Sequence, residues 1–204
     1  MALVNYNDLI VQVADWMHRS DLTTKIPDFV RMAESRMNAD LDIRLLDKTV
    51  TINTVAAQAT VPLPADFVRL RKLSANNGGV VCSLDYMPPE LMEQRWGSYS
   101  AQPIHYHISG DSLALAPIPN AVYALTLEYY STIAGLTPTN LTNVVFSAYP
   151  EMYLHCCLIF AAIYARDQEL LAAMEAEYMN ALKAVNLLNW GLMGTVGTIS
   201  MNPL

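Results

Sequence analysis

The stretch Ser147–Trp190, SAYPEMYLHCCLIFAAIYARDQELLAAMEAEYMNALKAVNLLNW, limits what this chain can fold into more than any other. It reads as two helices meeting at a polar corner, Arg166-Asp167-Gln168. The first arm is apolar on every side: Met152, Tyr153, Leu154, Cys156, Cys157, Leu158, Ile159, Phe160, Ile163 and Tyr164. A helix apolar all round has to be buried all round. The second arm is one-faced, with Leu170, Leu171, Met174, Tyr178, Leu182, Val185 and Leu188–Trp190 set against Glu169, Glu175, Glu177 and Lys183. An inner helix and an outer one describe part of a bundle, and neither carries a catalytic pattern.

The chain opens with two more helices. Asn5 or Asn7 caps a helix running to about His18, whose apolar face is Leu9, Ile10, Val13, Ala14, Trp16 and Met17. Ser20-Asp21 breaks it, and Pro27 with Asp28 starts a second helix that runs to about Leu41. Ile26, Phe29, Val30, Ala33 and Met37 line one side of it. Arg31, Glu34, Arg36 and Asp40 line the other, which reads as a solvated face.

Around Asp47 the hydrophobic period changes from helix to strand. Strands are expected over Thr49–Asn53, Thr60–Leu63, Val68–Leu73, Val80–Tyr86, Ile104–Ile108, Ser112–Ala116 and Tyr123–Tyr130. Asn76-Asn77-Gly78-Gly79 is a hairpin signal, and Pro88-Pro89-Glu90 opens a short helix to about Trp96. The expected fold class is α+β. N- and C-terminal helices form an antiparallel bundle, with a β-rich module inserted between them and an extended tail behind. The boundaries fall at 1–46 (N-terminal helices), 47–131 (β-rich module), 132–190 (helix hairpin) and 191–204 (tail).

Composition narrows the class of function. The chain has 204 residues, 53% hydrophobic and only 15% charged, where an average soluble domain carries about 25% charged residues. Few side chains are reserved for water, so other subunits are expected to cover part of the apolar surface. A net charge of −7 argues against gripping phosphate backbones, which takes Lys and Arg at the contact. It suits a surface that nucleic acid passes without sticking. The three cysteines, Cys82, Cys156 and Cys157, make no disulfide framework. MALVNYNDLIVQV has no basic start ahead of its apolar residues, and Met152–Ala165 is too short for a membrane span of about 20 residues. A soluble intracellular protein without a membrane partner is expected.

The last segment, Gly191–Leu204 (GLMGTVGTISMNPL), has no charged side chain and includes β-prone Val196, Thr198 and Ile199. Mobile tails are usually polar or charged. This one is better suited to docking, for which adding a strand to another chain's sheet edge is the obvious mode. Packing back on its own domain is the alternative.

The search for chemistry is mostly negative. His155-Cys156-Cys157 cannot converge on one metal, because consecutive helix residues point about 100° apart. Core packing is the better account of both cysteines. His105 and His107 share one strand face, but two ligands are not a site. The eight glycines spell no phosphate loop, and there is no G-x-S-x-G elbow, H-E-x-x-H or EF-hand loop. Arg69-Leu70-Arg71-Lys72 lacks interleaved aromatics for base stacking. It reads as a solvated strand face or a contact with acidic neighbours. No catalytic, cofactor-binding or metal-binding residue is assigned.

The layout does resemble a known family, the head-to-tail adaptor (connector) proteins of tailed bacteriophages, short-tailed type. The residues carrying the resemblance are the helices Asp8–His18 and Ile26–Leu41, then Leu63-Pro64-Ala65-Asp66-Phe67-Val68-Arg69-Leu70-Arg71. Leu113–Pro117 with Leu125–Tyr130 follows, and the hairpin from Tyr149-Pro150-Glu151 through Arg166-Asp167 to Glu175–Tyr178 closes the domain. The resemblance covers nearly all of the chain except the tail and rests on diffuse pattern.

It implies a non-enzymatic ring of twelve copies bound below the portal, extending the DNA channel and offering tail proteins a platform. Genomic DNA would pass through the lumen without sequence-specific binding. Partners would be the portal and a tail nozzle or tail-tube protein. The location would be the head–tail interface of the virion, after assembly in the host cytoplasm. Portal docking would fall to Trp190, Leu192, Met193, Val196, Ile199, Met201 and Leu204. Contacts between subunits would fall to Arg31, Arg36, Leu171, Met174 and Tyr178. The rivals are a cytoplasmic scaffold or assembly chaperone, and an enzyme using His105, His107 and Asp111.

Overall fold

Asn5 starts the first helix, α1 (Tyr6–Trp16), by a reciprocal cap. Its side-chain oxygen accepts the amides of Asn7 (2.9 Å) and Asp8 (3.1 Å), and the Asp8 carboxylate accepts the amide of Asn5 (3.2 Å). Pro27 in the first turn and Asp28 favour the start of α2 (Ile26–Asp40). Then come β1 (Asp47–Asn53), β2 (Thr60–Pro62), β3 (Phe67–Asn77), β4 (Val80–Ser83), β5 (Asp85–Tyr86), α3 (Pro89–Trp96), β6 (Ser100–Ala101), β7 (His105–Ser109), β8 (Ser112–Ala116), β9 (Ile118–Pro119) and β10 (Ala124–Ser131). The chain returns to helix in α4 (Val144–Ala148), α5 (Pro150–Ala165) and α6 (Gln168–Leu192). This computed structural model describes residues 3–41 and 44–192.

The chain divides into two compact units. One is drawn from the chain up to Leu45 and from Ile133 onward; the other is Leu46–Thr132. The class is α+β, with terminal helices and a central β-rich module.

In the helical unit α5 is the pillar. Met152, Tyr153, Leu154, Cys156, Cys157, Leu158, Ile159, Ala161 and Ala162 are all buried. It runs antiparallel to α2, as shown by Phe29 against Tyr164, Ala33 against Cys156 and Glu34 against Tyr153. Burial stops one turn short of what an all-round apolar helix implies: Ile163 and Tyr164 are more than half exposed. Tyr164 is covered on one side by Phe29, ring centroids 5.7 Å apart. Arg166 ends α5 in a left-handed conformation, and Asp167 caps α6 by accepting the Leu170 amide (3.0 Å). The short α4, capped by Asn143 through the Phe146 amide (2.8 Å), has no counterpart in the sequence reading.

The β unit holds one antiparallel sheet, β1-β10-β3-β4, and a second sheet, β2-β8-β7-β5, with β5 parallel to β7. β6 and β9 form a short parallel pair. Along β10 burial alternates, with Leu125, Leu127, Tyr129 and Ser131 inward. Leu125, Leu127 and Tyr129 join Val61, Leu73, Ala75, Leu84, Leu113 and Leu115 in the core. The single strand expected over Val80–Tyr86 is two. Its break is Leu84, which is buried and donates its amide to Leu73 (3.0 Å), after which Asp85 donates to Ile104 (3.0 Å). The chain changes sheets there, because a buried Leu between two paired segments serves both.

Candidate functional surfaces

α6 lies parallel to α2 along a polar seam. The Arg36 guanidinium donates two hydrogen bonds to the Glu175 carboxylate, at 2.9 and 2.8 Å. It also sits over the Tyr178 ring, 4.6 Å from the centroid. The Tyr178 hydroxyl donates to Asp40 (2.8 Å), which also faces Arg36 at 3.5 Å. Arg36 holds the Glu175 carboxyl below its usual value through that hydrogen bond, against the opposing effect of burial. Burial, then the bond to Asp40, pushes the Tyr178 phenol up.

The residues expected between subunits therefore divide. Met174 and Tyr178 are buried in the protomer's own core, and Arg36 is engaged within the protomer. Arg31 is exposed, paired with Asp28 at 2.7 Å, and Leu171 is half-buried. The residues expected to dock on the portal, Met193, Val196, Ile199, Met201 and Leu204, lie outside the described residues, as do the side chains of Trp190 and Leu192.

The charged side of α2 is only in part the solvated face that its spacing suggests: Arg31 is exposed, but Glu34 is not. Glu34 is buried, and its Oε1 accepts the Leu136 amide (2.7 Å) and the Tyr153 hydroxyl (3.3 Å). One turn later the Asn38 side chain accepts the Ile133 amide (2.7 Å). Asn143 completes the cluster by donating to Tyr153 Oη (2.6 Å) and the Ala134 carbonyl (2.7 Å). α2 thus anchors residues 133–136 through side chains four positions apart. Burial raises the Glu34 carboxyl above its ordinary range, more than the Leu136 and Tyr153 bonds lower it. A lone Glu among Arg31, Arg36 and Asp40 carries no local sign of this role.

The other candidates are structural. Cys156 and Cys157 are fully buried, and Cys156 Sγ faces the Ala33 carbonyl at 3.8 Å. In β7, His107 Nδ1 lies 3.3 Å from Met92 Sδ, and the His105 ring packs on Trp96 at 5.9 Å between centroids. His107 and Asp111 line different clefts, so they do not form one site. Among the described residues no group of three or more His, Cys, Asp or Glu is placed to hold a metal.

The basic run meets acids of its own module: Arg71 pairs with Asp47 and Lys72 with Glu128 (3.6 Å). Arg69 and Arg71 also sit over the Tyr130 ring, at 4.8 and 5.6 Å.

No curated protein matches the chain. A family model described as SU10 adaptor protein matches residues 4–197. That span takes in both N-terminal helices, the whole β module and the α5–α6 hairpin, so the chain belongs to the SU10 adaptor family, structural proteins that join phage head to phage tail.

Proposed function

We propose that twelve copies of this adaptor assemble as a ring on the lower face of the portal and extend the DNA channel. The chain's role is that of a structural, non-catalytic head-to-tail adaptor of the virion, with portal and tail proteins as partners. The ring, its twelvefold order, and assembly in the host cytoplasm before tail attachment are our extension of that role.

The observation that carries it is the amount of large apolar side chain left uncovered on a single copy. In the helical unit Trp16 is 46% exposed, Met32 50%, Ile163 53% and Tyr164 54%. A chain with only 15% charged residues that also leaves such side chains in water is suited to burial against other subunits. Arg31 and Leu171 offer surface for lateral contact. Arg36, Met174 and Tyr178 would support that contact by fixing α6 on α2. A nozzle or tail-tube protein would bind the β module. The charge-free Gly191–Leu204, with Trp190, would dock on the portal. The net charge of −7 suits a lumen that DNA slides through, since like charge prevents adhesion.

The test is electron microscopy of the purified chain with its portal, full length and truncated after Trp190. A discrete twelvefold ring on the portal is expected, and its loss on truncation. If the truncated chain joins the portal as well as full length does, the tail is not the docking element. A full-length chain indifferent to portal would overturn the ring and favour a cytoplasmic scaffold or assembly chaperone.

A further inference from the structure

Within the β unit two unlike surfaces lie at opposite ends of one strand. β3 runs from Phe67 to Asn77, a rise of about 30 Å at ~3.3 Å per residue.

At its far end the chain turns through Gly78 and Gly79, both at positive φ (58° and 94°), into β4. Two-residue hairpin loops demand that conformation, and glycine supplies it without strain. Just after the turn Val80 and Val81 are 63% and 64% exposed. Neighbouring side chains on a strand point to opposite faces, so both faces of the tip are bare. From Leu73 to Leu84 the sequence has no charged residue. β4 is the edge of its sheet and carries none of the Lys, Pro or inward charges that usually guard an edge.

At the near end of β3 is an open cleft of about 620 Å³, lined by Pro62, Leu63, Phe67, Val68, Ile108 and Asp111 among others. Val68 and Ile108 at its mouth are 51% and 39% exposed. The Leu63 amide donates to the Asp111 carbonyl at 2.9 Å, tying the two lips together. A volume of this order accepts several side chains.

We propose that the Gly78–Val81 tip of one copy seats in this cleft of the next copy around the ring. The uncharged knob meets a cleft whose lining side chains are apolar apart from Asp111, so seating it desolvates no other charged side chain of the lining. Knob and hole lie a strand's length apart, so no copy fills its own cleft. Two different patches on identical chains repeat head to tail, which is the interface type that closes rings. The contact rests on the ring reading above and names the surface that would link neighbours through their β units.

The test is made with full-length chain on the portal, in a Cys82→Ser background. The pair Val81→Cys with Val68→Cys is expected to give, on mild oxidation, a ladder of cross-linked species up to the closed ring, and neither single variant should give one. In a separate protein, Val80→Asp with Val81→Asp is expected to keep the wild-type far-ultraviolet spectrum and to cut ring yield at least tenfold. No ladder, together with ring yield within twofold of wild type, overturns the contact while leaving the ring intact. Rings that form normally but no longer bind tail protein also overturn it, and assign the tip to that partner. Should the aspartate variant unfold, the ladder alone decides. Failure of the ring reading shows separately, as wild-type chain that forms no ring on portal.

Discussion

Arg36 of α2 and Glu175 of α6, 139 positions apart in sequence, meet through two parallel hydrogen bonds of 2.9 and 2.8 Å over the face of Tyr178. This pair fixes the register of the outer helix on the bundle. Both side chains keep partial contact with solvent, 27% and 38% exposed, so its coupling energy is that of a well-formed but screened pair, about 1 kcal/mol. A double-mutant cycle of Arg36→Ala and Glu175→Ala in urea unfolding measures it. Arg36 holds the Glu175 carboxyl below its ordinary 4.5 in the folded state. The pair's contribution is therefore complete above about pH 4.5 and is lost as pH falls through the lower folded value. Wild type should lose stability in that acid range more steeply than Glu175→Gln.

Glu34 responds in the opposite sense. Burial holds its folded value above 4.5, so ionising it costs the folded state more than the unfolded chain. That cost is absent below about pH 4.5 and grows as pH rises to the folded value. Glu34→Gln keeps an acceptor for Leu136 and Tyr153. It should melt close to wild type below about pH 4.5, where Glu34 is protonated, melt at or above wild type at neutral pH, and flatten the stability profile between the two. Glu34→Ala leaves a buried amide and hydroxyl without their acceptor and should cost about 2 kcal/mol. Thermal melts across pH 4 to 8 of the three proteins make the comparison.

The fold class was readable because its signals are local. Asn5 with Asp8, Pro27, Pro150 and Asp167 each mark a helix start by their own chemistry. The alternation over β10 also reports its buried side directly. What covers a helix face is not local. Glu34 finds its partners 102 and 119 residues away, at Leu136 and Tyr153, and periodicity alone cannot distinguish a face meeting water from one meeting another segment. Met174 and Tyr178 pose the same problem in reverse. An apolar stripe on an outer helix says that something packs there, and the seam with α2 is what assigns it to the protomer itself. The turn at Gly78-Gly79 is legible from its residues, whereas the cleft at the other end of β3 and the edge left open depend on strand pairing that spacing does not encode.

The three cysteines should separate cleanly by reactivity. The attacking species is the thiolate. Burial pushes the Cys156 thiol up to about 12, and also raises Cys157 well above the usual range. Cys82, half-exposed on β4, has no such shelter. Native protein treated with iodoacetamide should therefore be modified at Cys82 alone, with Cys156 and Cys157 reacting only after denaturation. Peptide mass spectrometry reads the outcome. Fast native labelling at Cys156 would mean that α5 opens away from α2.

Leu171 and Met174 are near neighbours on α6 that differ in burial, and one substitution at each tests what they do. Met174 is 6% exposed, so Met174→Asp places a carboxylate where it has no solvent and leaves the methionine's contacts unmade. The expected loss is about 3 kcal/mol or more, seen as a sharply lowered melting temperature. Leu171 is half-buried in the first turns of α6, where a carboxylate reaches water and also suits the positive end of the helix dipole. Leu171→Asp should fold with a melting temperature within a few degrees of wild type and still fail to complete rings on portal. Rings at wild-type yield would exclude Leu171 from the lateral contact, leaving Arg31 and the β3 termini as the surfaces that join neighbours.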